Sequence, residues 1–262
     1  IYTAKSPTVM GIGFAAVRDV VSFLRFSKAS INPLHDSIIN KAIIFGYSQS
    51  GRFIRDFIYQ GFNLNADNKM VFEGAIPVVA GARRTYVNDA FAQPGRFTRQ
   101  HEDHLYPQSS FPFTYGTLTD ALTGRTDGIF ARCAPANACP KLFHVDSDSE
   151  VWQGHNSLIV TDTKGAAITL PDNVRVFLLA GVCHFPGFAA KTSVQAANAL
   201  PLNAALRALL SSLDKWVENG TTPLASKWPT PGDGSYVPLA TAATQWPVQI
   251  PKWPWVNLIN TV

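Results

Sequence analysis

Four short apolar runs constrain this chain more than any other feature. Lys41–Phe45, Ala75–Gly81, Lys141–Val145 and Asn173–Ala180 are rich in Val, Ile, Leu, Phe or Ala, and each ends near a small or polar turn. Runs of this length without strict alternation read as strands buried on both faces. Helical periodicity surrounds them. Met10, Phe14, Val17, Val21 and Leu24 fall at steps of four and three, which predicts a helix over Thr8–Phe26, broken at Asn32-Pro33. Ile54, Phe57 and Ile58 predict a second helix over Ser50–Gln60, stopped at Gly61. Leu206, Leu209, Leu213 and Trp216 predict a last helix, ended by Asn219-Gly220. Strands that alternate with helices imply a mostly parallel sheet with helices on both faces. Pro77 is awkward for a central strand, because it lacks a ladder donor.

Composition excludes several classes. The 262 residues are 46% apolar and only 15% charged, the reverse of a disordered chain. Cysteines number 3, too few for a disulfide-stapled scaffold. No apolar run approaches the roughly 18–20 residues of a membrane-spanning helix. The net charge of +4 is scattered rather than gathered in a stripe, so no nucleic-acid partner is expected. The length suits one large domain. Residues 82–140 form a long insertion without sustained periodicity, which reads as a lid or binding segment. Residues 221–262, rich in Pro and Trp, read as an extended arm packed on the body.

In parallel sheets, ligands sit beyond the carboxyl ends of the strands, so the residues there carry the functional argument. After the first run comes Gly46-Tyr47-Ser48-Gln49-Ser50-Gly51, a G-x-S-x-S-G sequence between a strand and a helix. A nucleophile elbow requires this context. It holds a serine on a sharp, strained turn, with small residues two before and two after it. Gly46 and Ser50 meet that demand. The N–H of Gln49, at the helix start, would supply half of an oxyanion hole. Asp146, Asp148 and Glu150 follow the third run, and Cys183-His184 follows the fourth. A serine needs a base, and a histidine base needs a carboxylate to orient it. The chain order of serine, acid, histidine is that of the α/β-hydrolase fold.

The chain resembles a bacterial family of α/β-hydrolase-domain serine esterases. The likeness is carried by Gly46-Tyr47-Ser48-Gln49-Ser50-Gly51-Arg52-Phe53, by Pro94-Gly95-Arg96 through Phe111-Pro112-Phe113, and by Thr123-Gly124-Arg125-Thr126-Asp127-Gly128. It continues through Pro140-Lys141 and Ser149-Glu150-Val151-Trp152, and spans the first helix to about Trp228. The resemblance implies Glu150 as the acid. Val151 stands where the family usually has Tyr, which leaves Asp148 and Asp146 as alternatives. The implied activity is hydrolysis of small-molecule or polymeric carboxylic esters by Ser48, Glu150 and His184, with no cofactor and no metal. Rivals are an acyltransferase or a peptidase with the same triad, and a non-catalytic binding protein on a hydrolase scaffold.

Other groups have plainer readings. His101-Glu102-Asp103-His104 could ligate a metal, but it has no matching second cluster and reads as a solvated segment paired with Arg96 or Arg99. Arg83 and Arg84 could meet an acidic substrate, or pair with Asp89 or Asp120. Phe91, Phe97, Tyr106, Phe111, Phe113 and Tyr115 could line an apolar pocket or simply pack. Cys133 and Cys139 flank a Pro/Ala turn and could form a disulfide, which would place the protein in an oxidising compartment, secreted or periplasmic. Cys183 reads as a buried small residue. Asn219-Gly220-Thr221 matches a glycosylation sequon, a pattern frequent by chance.

One expectation concerns the sheet. Only one helix precedes the strand that carries Ser48, which would leave that strand with a bare apolar edge of the kind stable proteins avoid. The chain is therefore expected to be the carboxyl-terminal portion of a larger hydrolase. The missing strands, and the second oxyanion donor, would come from a companion polypeptide or a further segment.

Overall fold

The computed structural model describes residues 5–6, 12–85, 110–185, 200 and 202–236. Its elements are α1 (Gly13–Phe26), β1 (Ile43–Tyr47), α2 (Gln49–Tyr59), β2 (Gly74–Val78), β3 (Leu118–Thr119), β4 (Thr126–Asp127), β5 (Lys141–Ser147), α3 (Asp148–Gln153), β6 (Val174–Leu179) and α4 (Leu202–Asn219). The four main strands form one parallel sheet in the order β1-β2-β5-β6. β3 and β4 make a separate antiparallel ribbon.

The alternation of side chains along each strand builds two cores. Ala75, Leu142, Val174 and Val176 pack with Ile54 and Ile58 of α2, and with Tyr115, Ile129 and Phe130. Ile76, Val78, Phe143, Val145 and Phe177 point the other way and pack with Leu206, Leu213, Trp216 and Val217 of α4. Burial on both faces explains the near-continuous apolar runs. α1 lies outside α2, where Phe14 stacks on Phe53 and Phe62. Arg25 fixes the end of α1 by donating to the carbonyls of Val71 at 2.5 Å and Asn40 at 2.7 Å, and to Glu73 at 2.8 Å.

The sequence expectations meet the structure with defined shifts. β1 runs two residues further than the apolar run, through Gly46 and Tyr47, and takes the chain straight into the serine turn. Pro77 does lie in a central strand. The pairing of β2 with β5 is made at Gly74, Ala75 and Val78 and skips Ile76 and Pro77, so the missing donor falls in a gap of the ladder. Within the insertion, residues 110–140 join the body of the domain. Tyr115 and Ile129 are fully buried, and Phe111 is nearly so. Residues 86–109 lie outside the described residues, and with them Asp89, Phe91, Arg96, Phe97, Arg99, His101 to His104 and Tyr106. Cys133 and Cys139 form a disulfide. Cys183 is a free thiol and is half-buried rather than fully enclosed.

The two sheet edges differ. The arm after α4 runs beside β6: Lys227 donates its N–H to Val176 and accepts from Leu178, and Trp228 closes over the core. Of the arm, residues 237–262 lie outside the described residues. Among the described residues β1 pairs with β2 alone, and Phe45 is 47% exposed. No helix among them is long and apolar enough to cross a membrane.

Two glycines set the β1–α2 turn. A Cβ on Gly46 would lie 2.6 Å from the carbonyl carbon of Ser50, and one on Gly51 would lie 2.8 Å from the carbonyl oxygen of Val78. Alanine normally favours a helix over glycine by about 1 kcal/mol. At Gly51 overpacking reverses the sign, with an expected loss of about 1–3 kcal/mol. Gly13→Ala, in open space at the start of α1, provides the contrast and should be neutral or stabilising. Urea unfolding of the two variants checks this; a Gly51→Ala protein as stable as wild type contradicts the packing argument.

Candidate active site

Ser48 sits between β1 and α2 with φ 56° and ψ −115°. A positive φ is strained for a residue with a side chain, and strain of this kind concentrates at functional sites. The turn is held by the N–H of Ser48 on the carbonyl of Val78 at 2.8 Å, and by the N–H of Arg52 on the carbonyl of Ser48 at 3.0 Å. Val79, just past β2, is a second strained residue, with φ 45°. Gln49 opens α2, so its N–H belongs to the first turn of donors that have no partner within the helix.

His184 lies in the turn after β6, half-buried. Its Nε2 is 2.7 Å from Ser48 Oγ, and its Nδ1 is 2.6 Å from Glu150 Oε1. Glu150 is 5% exposed in the first turn of α3. Its other oxygen, Oε2, accepts the Ser147 hydroxyl at 2.5 Å and the Ser147 N–H at 3.1 Å. Ser147 and Glu150 thus form a reciprocal capping box that locks the carboxylate while leaving Oε1 to the imidazole. A buried carboxylate is costly unless it is bonded, and these three donors meet that need.

The structure brings Ser48, His184 and Glu150 into one line and separates the alternative acids from it. Asp146 is fully buried, 3.0 Å from His144 Nε2 and 3.2 Å from the Gly81 N–H. His144 Nδ1 meets the Tyr115 hydroxyl at 2.7 Å. Asp148 accepts the Gly181 N–H at 2.6 Å. Asp89 lies outside the described residues, but other neighbours of the two arginines are placed. Arg84 lies 3.3 Å from Asp56 and over the Tyr59 ring, while Asp120 binds Thr123 of its own loop. Arg83 donates to the carbonyl of Gln153. Its guanidinium feels two opposed effects: burial, the larger, lowers its pKa, and the charge of Glu150 raises it.

Ser147 escaped the sequence reading, although the S-x-x-E spacing of Ser147 and Glu150 is a recognisable capping signal. Tyr47 also escaped it. Its hydroxyl donates to the carbonyl of His184. Burial first, then the nearby charges of Glu150 and Cys183, push this phenol up to about 12.

A parallel sheet that presents a strained serine, a histidine and a carboxylate at the carboxyl ends of its strands defines a hydrolase-type scaffold. Comparison with known families agrees: residues 2–238 match the family described as alpha/beta hydrolase domain, and the chain belongs to that family. No curated protein and no solved structure gives a significant match.

If Glu150 is the carboxylate that orients His184, replacing it by Gln keeps the shape but removes the charge beside the imidazole. Turnover should fall by about 10³- to 10⁴-fold. Asp148→Asn keeps an acceptor for Gly181, and its loss should stay within about 10-fold. Steady-state kinetics on the two variants decide the acid, and the opposite ranking transfers the role to Asp148.

Proposed function

We propose that the chain is a serine hydrolase that cleaves carboxylic esters through an acyl-enzyme. The carrying observation is the unbroken line Ser48–His184–Glu150, at 2.7 and 2.6 Å. In this reading His184 Nε2 takes the proton of Ser48 Oγ as the oxygen attacks the ester carbonyl. Glu150 steadies the imidazolium that results. The Gln49 N–H stabilises the oxyanion. His184 then protonates the leaving alcohol. A water, activated by the same imidazole, releases the acid and restores Ser48.

A fluorophosphonate probe and a panel of esters, from short acyl to polymeric, test this reading. Ser48 should take one covalent adduct. Ser48→Ala should lose both label and turnover, the latter by about 10⁴-fold or more. Folded wild-type protein that takes no adduct at Ser48 sinks the proposal. The disulfide supports a further proposal, that the protein folds in an oxidising compartment, secreted or periplasmic. The same labelled digest, run without reduction on protein from its native cell, should return Cys133 and Cys139 as one linked peptide pair. Free thiols there refute the compartment.

The contrast between the two sheet edges supports a proposal about partners. β6 is covered by the chain's own arm, whereas β1 has no second neighbour among the described residues and exposes Phe45. We propose that a strand from outside the described residues pairs with this edge and brings the second oxyanion donor. Amide hydrogen exchange over 43–47 reads it directly. In the assembled protein these amides should be protected as strongly as those of β2. Fast exchange in a stable, active protein rules the extra strand out.

A further inference from the structure

The turn that carries His184 has little side-chain anchorage. Val182 is 5% exposed, but Ala180, Gly181 and Phe185 are all open to solvent. It must also reach far. Ser48 follows β1 and His184 follows β6, three strand spacings of about 4.8 Å apart, or roughly 14 Å. An imidazole cannot span that gap, so the turn folds back across the ends of β5 and β2. Such a turn is fixed only if its backbone groups have partners.

Those partners can be named. The Gly181 N–H goes to Asp148 Oδ2 at 2.6 Å. The Val182 carbonyl accepts the Asp148 N–H at 3.0 Å. The His184 N–H goes to Ser149 Oγ at 3.0 Å. The His184 carbonyl accepts the Tyr47 hydroxyl. Both backbone groups of His184 are therefore held by residues that directly precede the other two members of the line: Tyr47 before Ser48, and Ser149 before Glu150.

We propose that Tyr47 and Ser149 are positioning residues that set the backbone of His184, so that its ring meets Ser48 and Glu150 together. The inference rests on the serine-hydrolase reading of the same site. Ser48 is fixed by its strained turn, and Glu150 by the capping box with Ser147. The imidazole must match two fixed points at once. With its backbone loose, it satisfies one of them at a time. The Tyr47 ring adds packing, with its centroid 6.0 Å from that of His184 and 5.5 Å from that of Phe185. Because the phenol is pushed up to about 12, it remains a donor at pH 10.

The test uses the full chain. Tyr47→Phe removes the hydroxyl and keeps the ring. Ser149→Ala removes the acceptor, and Ser149→Thr restores it. Turnover of a chromogenic ester and the rate of fluorophosphonate labelling are measured per labelled Ser48, with melting temperature alongside. Turnover and labelling rate should each fall about 10-fold in Tyr47→Phe and in Ser149→Ala, with KM within about two-fold of wild type, and Ser149→Thr should recover most of the loss. Should Ser149→Ala fail to fold, Tyr47→Phe decides alone. Variants that melt lower yet turn over at the wild-type rate per labelled site overturn the proposal, because they show a purely structural role. Wild-type protein that takes no label refutes the underlying reading, and the positioning role with it. Wild-type labelling matched by equally fast variants refutes the positioning role alone.

Discussion

The close passage of the β1–α2 turn over β2 is the contact on which the rest of the site depends. Ser48 occupies a backbone conformation that costs on the order of 1–3 kcal/mol for a residue with a side chain. The turn keeps it because the surrounding packing over-determines it. Gly46 lies against the backbone of Ser50, Gly51 against that of Val78, and the Ser48 N–H bonds to the Val78 carbonyl. Each of these contacts needs the absence of a side chain or the presence of a strand immediately beside β1. β2, buried at every residue, is that strand. The burial of β2 between two cores is thus what sustains a strained serine at the end of β1.

From this anchor the site is assembled across the sheet rather than along it. The serine comes from β1, the carboxylate from the helix that continues β5, and the histidine from the turn after β6. The carboxylate is placed by a helix start. β5 runs into α3 with only Ser147 as the junction, and the capping box fixes Glu150 relative to that junction. The histidine turn then docks on the same helix start through Asp148 and Ser149. The four residues from Ser147 to Glu150 therefore supply the carboxylate beside His184, the cap and the platform at once. A short segment with so many polar side chains reads as a loop until those partners are seen.

Much of this was legible in the sequence because it rests on local signals. Double-sided burial writes apolar runs, so all four main strands were found. A strand–G-x-S-x-S-G–helix sequence states its own geometry. The boundaries failed where a residue's local preference is overridden. β1 extends through Gly46 and Tyr47 because the turn, not propensity, ends the strand. Pro77 sits in the central β2 because the ladder with β5 leaves a gap beside it. What was illegible depends on distant pairs. Tyr115 reads as an aromatic in an irregular insertion, and only tertiary packing puts its hydroxyl on His144. Arg84 lies beside Asp56, a pairing that leaves no periodic trace. The capping box was legible in principle, since its spacing is fixed by the first helical turn.

The placement of three acids relative to His184 shows why burial and spacing outweigh proximity in sequence. Asp146, Asp148 and Glu150 all lie within five residues along the chain, and each could be drawn beside a histidine. Asp146 is the penultimate residue of β5, so strand geometry points it into the core on the α2 side, where it bonds His144 and Gly81. A carboxylate there has no route to a half-exposed imidazole beyond the strand ends. Asp148 is the first residue of α3 and faces the backbone of the histidine turn. Glu150 is the third, the position from which a long side chain folds back over the helix start. That backward reach brings Oε2 to Ser147 and leaves Oε1 pointing past the strand end towards His184. An aspartate at position 150, one methylene shorter, would have to give up one of those two partners.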